Sequence, residues 1–321
     1  MGSATFKCLP PSNTIREITI PGVTGGANVS ALCMGPDGRI WAGVENYTGV
    51  QPVVIAVTPA GVISQYPVGA VGDNFGGVCA GPDGNIWIGD SSTKTLYKIR
   101  PSDGTILGSY LVSTITDIAG VRPGSDGNLY VANNGGSHLA KVSTAGVTLT
   151  VYNSPTTGGG CHGLNSGPDG NGNTVLWFAE QLGSANKVAY FNPATSTFTE
   201  FSVGMAPFSV VPGGDGNIYF TAEIAGKYGQ LLLPSGTVST WTAPDGTSAS
   251  PRGIWADTNG NVWYSEHASN KLVKFPTGSP ATTSTVTLPT ASSGPDKIVQ
   301  GIDGFLWLTE HDVGKLAWIV S

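Results

Sequence analysis

The sequence predicts an all-β chain folded as a single seven-bladed β-propeller of four-stranded blades spanning residues 1–321. Three observations predict it: a turn followed by an aromatic-bearing strand recurs seven times, the recurrence interval matches one blade, and the composition is rich in turn residues. A closed ring also escapes the size limit that would otherwise divide a chain of this length into two domains.

The repeated unit is a Gly-Pro-Asp-Gly-type turn and a strand that often ends in an acid, with copies at residues 35–44, 81–90, 124–133, 167–180, 213–222, 257–266 and 301–310. Their starts lie 46, 43, 43, 46, 44 and 44 residues apart. Residues 14–20 (TIREITI) resemble the outer strands at 61–66, 195–201 and 236–241, yet precede the first inner strand. They are expected to complete blade seven, where the chain stops after a third strand at 315–320. Blade six shows the whole unit: strand a at 252–256, the turn at 257–260, strand b at 262–266, strand c at 271–275 and strand d at 283–288, separated by Ser, Asn, Gly and Pro. Trp41, Trp87, Tyr130, Trp177, Tyr219, Trp263 and Trp307 occupy the middle of strand b in successive units, and this sevenfold pattern assigns them to blade packing.

With 47 Gly, 22 Pro and 11% charged residues, and no apolar run approaching the roughly 20 residues of a membrane helix, the chain reads as soluble and turn-rich. Its net charge is −6 and its 15 Lys and Arg residues are scattered, which excludes the basic footprint of a nucleic-acid binder. The expected partner is a small molecule or a glycan, with no nucleic acid and no membrane, and the expected state is a monomer. Cys8, Cys33, Cys79 and Cys161 lack CxxC spacing, which argues against structural zinc or a redox pair and leaves one disulfide open. Cys33 and Cys79 stand at the same inner-strand place. The sequons Asn28-Val29-Ser30 and Asn46-Tyr47-Thr48 point to a secreted protein and leave a cytoplasmic one open; Met1-Gly2-Ser3 reads as an expression start after removal of a leader.

In each unit strand a runs away from one face and strand b returns to it, so the start of a and the end of b share one mouth of the central channel. Seven residues before the turn Asp, or before Asn259 in blade six, stand Ser30, Gly76, Ala119, His162, Phe208, Arg252 and Asp296. These should surround the mouth, with small residues in blades one to three leaving room on one side. The strand-b ends add Asp90, Glu180, Glu266 and Glu310, followed by His267 and His311, with His138 in the b–c loop of blade three. All four histidines are thus expected at one mouth. Converging carboxylates are relieved by a cation, by cationic partners or by a raised pKa; alternatively these acids cap strands or pair with Lys187, Lys271 and Lys315. Arg252 and Asp296 read equally as a structural ion pair or as two catalytic groups, and Phe208 either stacks on a ligand or plugs the channel.

The phrases GPDGNIW, LWFAE, VWYSEHASNKLVKF and LWLTEHDVGKL resemble the repeat of the streptogramin B lyases, also called virginiamycin B lyases, over all seven units and the N-terminal strand. The resemblance implies a seven-bladed propeller that opens a cyclic depsipeptide by metal-assisted elimination. It implies a catalytic histidine on the inner strand of the last blade, where this chain reads Gly294-Pro295-Asp296-Lys297, and a second histidine where it reads Pro251-Arg252-Gly253. The family's acid at the end of the last strand b is matched by Glu310, whereas Ser30 stands in place of the family's tyrosine. Cys161-His162-Gly163-Leu164 is similar to the family's Pro-His-Gly-Ile phrase but lies in blade four.

Two functions of different kinds follow. In the first, His162, Arg252 and Asp296 catalyse elimination from a carbon–oxygen bond, or a related isomerisation, in a cyclic peptide lactone or other natural product. Glu266 and Glu310 would then hold Mg²⁺ (or Ca²⁺), Phe208, Asp90, Glu180, His267 and His311 would contact the substrate, and no organic cofactor is needed. In the second, the propeller binds a glycan or protein without catalysis. A third reading is a lactonase with Ca²⁺ on Glu180, Asn133 and Asp90.

Overall fold

The computed structural model describes residues 14–23, 27–46 and 51–320. The described strands form seven antiparallel four-stranded sheets. Six follow chain order, as in β2 (Ala27–Met34), β3 (Ile40–Asn46), β4 (Val53–Val57) and β5 (Ile63–Pro67). The seventh is ordered β1 (Ile15–Thr19), β28 (Lys315–Ile319), β27 (Leu306–Glu310) and β26 (Pro295–Gln300). The N-terminal strand therefore completes the last blade, as its sequence predicts. Its register runs from Ile15 opposite Ile319 to Thr19 opposite Lys315. Glu17 fastens it further, accepting from Lys315 Nζ at 3.1 Å and from the backbone N–H and hydroxyl of Thr290 at 2.7 and 2.6 Å. Inner strand β2 packs against both β6 (Phe75–Ala80) and β26, which closes the ring.

The repeated turn has a packing reason. All seven strand-b aromatics are fully buried, and a buried indole N–H or phenol O–H needs an acceptor. In five blades the turn aspartate supplies it: Asp37 for Trp41 at 3.1 Å, Asp83 for Trp87 at 3.1 Å, Asp126 for Tyr130 at 3.0 Å, Asp215 for Tyr219 at 2.8 Å and Asp303 for Trp307 at 3.2 Å; in blade six, where Asn259 holds that place, Asp257 at the head of the turn accepts from Trp263 at 2.8 Å. In blade four the acceptor is the Pro168 carbonyl, 2.9 Å from Trp177. The leading glycine of the turn lies against the same ring. A Cβ on Gly35 would come within 2.5 Å of the Trp41 indole. Sequence repeat and core are thus one object.

A second repeated device lies at the strand-b ends. Glu180, Glu266 and Glu310 are fully buried, and burial pushes each carboxyl up to about 7. Beside each stands a second acid held below its ordinary range, namely Glu200, Asp245 and Glu17, and a lysine that pairs with that acid, namely Lys187, Lys271 and Lys315. Burial thus favours the protonated form of the inner acid, while the lysine favours the charged form of the outer one.

Candidate functional site

The mouth is shaped by a bulge. In blade six Pro251 faces Glu266 and Ile254 faces Tyr264, so the inner strand carries one residue more than its partner; the same offset occurs in blades one, two, three, four and seven. A bulge re-aims side chains. A tunnel cavity of about 80 Å³ is lined by Ser30, Gly76, Ala119 and His162 in blades one to four, but by Ser209, Gly253 and Lys297 in blades five to seven. Arg122 lines this cavity and a second one of about 250 Å³ that reaches Cys33 and Cys79. Both thiols are buried, as their inner-strand place suggests, and Cys8 lies outside the described residues.

Phe208, Arg252 and Asp296 precede the tunnel-lining residues by one position, and three nitrogen-bearing side chains gather around the Phe208 ring. His162 lies 4.6 Å from that ring, centre to centre, while Lys297 Nζ and the Arg252 guanidinium stand 5.2 and 5.8 Å from its centre. Arg252 pairs with Glu223 at 2.8 Å and Asp296 with Lys297 at 3.3 Å. In place of a direct Arg252–Asp296 ion pair, one of the two readings of these residues, there are thus two separate pairs. Burial would raise the Asp296 carboxyl, but Lys297 and Arg252, with His311 and His267, hold it below its usual range.

His162 Nδ1 lies 2.7 Å from the Phe208 carbonyl. That oxygen can only accept, so Nδ1 carries the proton and a neutral ring keeps its lone pair on Nε2. Burial pushes the imidazole down to about 4, and the Lys297 charge adds to the effect. Equivalent carbonyls in the next blades are held by hydroxyls: Thr221 Oγ1 donates to the Arg252 carbonyl at 2.5 Å and Ser265 Oγ to that of Asp296 at 2.8 Å. The blade-bridging bond thus accounts for one ring nitrogen of His162 and leaves the other for chemistry.

His267 and His311 meet at Asp312, with His267 Nε2 3.5 Å and His311 Nδ1 2.7 Å from Asp312 Oδ1. The fourth histidine does not join them. His138 is tied within blade three, its ring nitrogens each 2.8 Å from the carbonyls of Gly136 and Thr114.

The acids expected at the mouth are not among the residues that line the tunnel cavity. Asp90 caps its own turn, accepting from the backbone N–H of Ser92 at 2.8 Å and of Asn74 at 3.2 Å and from the Thr93 hydroxyl. Asn133 likewise accepts from Thr116 and Asp117. Glu180 accepts from Ser154. Glu266 and Glu310 sit in separate blades, each beside its own acid and its own lysine. Because those lysines already supply the counter-charge, the two glutamates do not fit a shared Mg²⁺ or Ca²⁺. The physical reason is strand alternation: the preceding residues, Ser265 and Thr309, reach the bulged inner strand, where their hydroxyls accept from the N–H groups of Gly253 and Lys297. The acids therefore face the opposite side of the blade. Lys297, Glu223 and Asp312 were not foreseen. Lys297 and Glu223 each follow by one residue a position that the sequence count selects, and Asp312 follows His311.

The glycine that stands at this place in blade two also has a packing origin. A Cβ on Gly76 would lie 1.5 Å from the Ile118 carbonyl oxygen of the next blade. Asn28-Val29-Ser30 lies on inner strand β2, with Val29 buried and Ser30 in the tunnel, and so lacks the surface-loop setting of a glycan acceptor. The second sequon extends beyond the described residues.

A family profile described as the virginiamycin B lyase family matches residues 3–203 and 172–321. The chain belongs to the virginiamycin B lyase family. Like other propellers of the virginiamycin B lyase type it superposes on a streptogramin B lyase structure, with a TM-score of 0.79 at 20% identity over 95% of this chain and 96% of that one. A catalytically inactive histidine-to-alanine virginiamycin B lyase from Staphylococcus aureus with quinupristin gives a TM-score of 0.81 at 19% identity, covering 95% and 98%. Hydrazine synthase from Kuenenia stuttgartiensis also matches, with a TM-score of 0.71 at 15% identity over 90% and 95%. No relative among curated proteins matches the sequence.

Proposed function

We propose that the mouth carries out a carbon–oxygen elimination on an ester or lactone, with His162 as base and Lys297 and Arg252 as the stabilising cations. The observation that carries this reading is the state of His162: a neutral imidazole with Nδ1 engaged, in a tunnel wall that also contains Lys297. His162 Nε2 removes the proton α to a carbonyl whose β-carbon bears the ester oxygen. The electron pair of that C–H bond forms a C=C bond as the C–O bond to the leaving carboxylate or alkoxide breaks. Negative charge builds on the carbonyl oxygen during the transfer, and a fixed cation held in a sheltered site stabilises it without reorganisation. Asp296 and Glu223 fix the two cations by pairing with them.

The cavity volume of about 80 Å³ suits one substituent or a few waters, so the body of a cyclic lactone would lie across the outer mouth, against Phe208. Membership of the family, and relatives described as streptogramin B lyases, support this substrate class. A non-catalytic binding role is favoured by a different observation, that Arg252 and Asp296 stand where the resemblance implies histidines.

Incubation with cyclic depsipeptides and smaller β-acyloxy esters separates the two. Elimination opens a lactone with no gain of water and creates an olefinic proton visible by NMR. His162→Gln should lower the rate by roughly 10²–10⁴ while the fold persists. Tight binding with no olefin from any lactone, or undiminished turnover by the variant, would overturn the proposal.

A further inference from the structure

We propose that His267, His311 and Asp312 form a binding site for a divalent transition metal of the zinc class on the rim between blades six and seven. The site goes beyond the elimination chemistry, takes none of its ligands from the residues of that machinery, and arises from the repeat itself. Each histidine directly follows strand b of its blade, β23 (Asn261–Glu266) or β27. Each is anchored in the same way, the His267 N–H donating to the Ser250 carbonyl at 3.1 Å and the His311 N–H to that of Gly294 at 3.0 Å. One blade of rotation therefore carries two equivalent imidazoles to a common point, where the short helical turn His311–Val313 presents Asp312.

One ligand atom from each of the three residues lies within 4.8 Å of the others; among the described residues this is the group with such geometry. Zinc bonds of roughly 2.0–2.1 Å in a tetrahedral arrangement need donors about 3.3 Å apart, and the contacts of 2.7 and 3.5 Å to Asp312 bracket that value. Two further observations point to a ligand. His267 Nε2 is completely buried and lacks a hydrogen-bond partner of acceptable geometry, which is a cost unless something occupies it. Gly294, at φ +61°, leaves the room: a Cβ there would stand 2.4 Å from Asp312 Oδ2 and 2.8 Å from His267 Nε2. Two imidazoles and a carboxylate suit zinc, cobalt, nickel or copper, whereas magnesium and calcium prefer oxygen donors. Three protein ligands leave one position for water or a ligand. The buried Asp296 carboxylate, which senses both histidines, adds negative charge behind them.

The test is a titration of the whole, metal-stripped protein with Co²⁺, following the d–d absorption of a four-coordinate ion and its displacement by Zn²⁺. One equivalent should bind, Mg²⁺ should not compete, and His267→Gln and His311→Gln should each weaken binding by at least roughly tenfold. His138→Gln should leave it unchanged. Absence of saturable binding in the unaltered protein, or binding that survives both single substitutions, overturns the site. The readout is metal binding rather than turnover, so failure here and failure of the His162 mechanism are separately visible.

Discussion

Glu180→Gln should make the protein more stable above neutrality and leave it nearly unchanged in acid. The side chain is fully buried, with Oε2 unpaired, and burial pushes its carboxyl from 4.5 up to about 7. Because the folded-state value exceeds the unfolded one, the group's favourable contribution is complete below about 4.5, is lost as pH rises to about 7, and changes no further above that. At 1.36 kcal/mol per tenfold change, the full loss is about 3 kcal/mol. For a chain of 321 residues this corresponds to a Tm difference of about 4 °C. A glutamine of the same shape does not ionise and keeps an amide able to engage Ser154 and Glu200, so it avoids the loss. Thermal unfolding of both proteins from pH 4 to pH 9 should give curves that meet in acid and separate through pH 5–7, with the variant higher. Parallel curves, or separation in the opposite direction, would refute the claim that this carboxyl is held protonated by burial.

Other expected outcomes follow from the packing. Asp303→Ala removes the acceptor for the buried Trp307 indole and for the Phe305 N–H, and should cost about 1–3 kcal/mol in denaturant unfolding. Gly76→Ala drives a Cβ into the Ile118 carbonyl and should cost about 1–3 kcal/mol or more, measurable as a lowered denaturation midpoint with an unchanged far-UV spectrum. Deletion of residues 1–20 removes β1 and its Glu17 contacts, leaving the edge of β28 unpaired; light scattering should show association, and unfolding should lose cooperativity.

The architecture was legible because its determinants are local. In most units the aromatic, its turn aspartate and the leading glycine lie within a few residues of one another, so a single unit states its packing and seven copies state the ring. The candidate site was legible only in part, because the inner-strand position that lines the tunnel is not the same in every blade. Counting back from the turn finds His162, which lines the tunnel, and Phe208, Arg252 and Asp296, which each stand one residue before a lining position. It misses Lys297, the residue after Asp296, which lines the tunnel. For the strand-b acids the direction of the side chain mattered more than height along the strand: Thr309 reaches the inner strand whereas Glu310, its neighbour, joins the acid–lysine layer on the other side. A histidine directly after each of two equivalent strands was visible in the sequence, but their shared carboxylate, Asp312, became evident only once the blades were side by side.

The central claim is that His162 is a neutral base fixed through Nδ1, and NMR titration of its labelled imidazole tests it most directly. The account predicts the Nδ1–H tautomer across the neutral range with a midpoint near 4. A midpoint near the roughly 6.5 of an ordinary imidazole, or a proton on Nε2 at neutral pH, would contradict it.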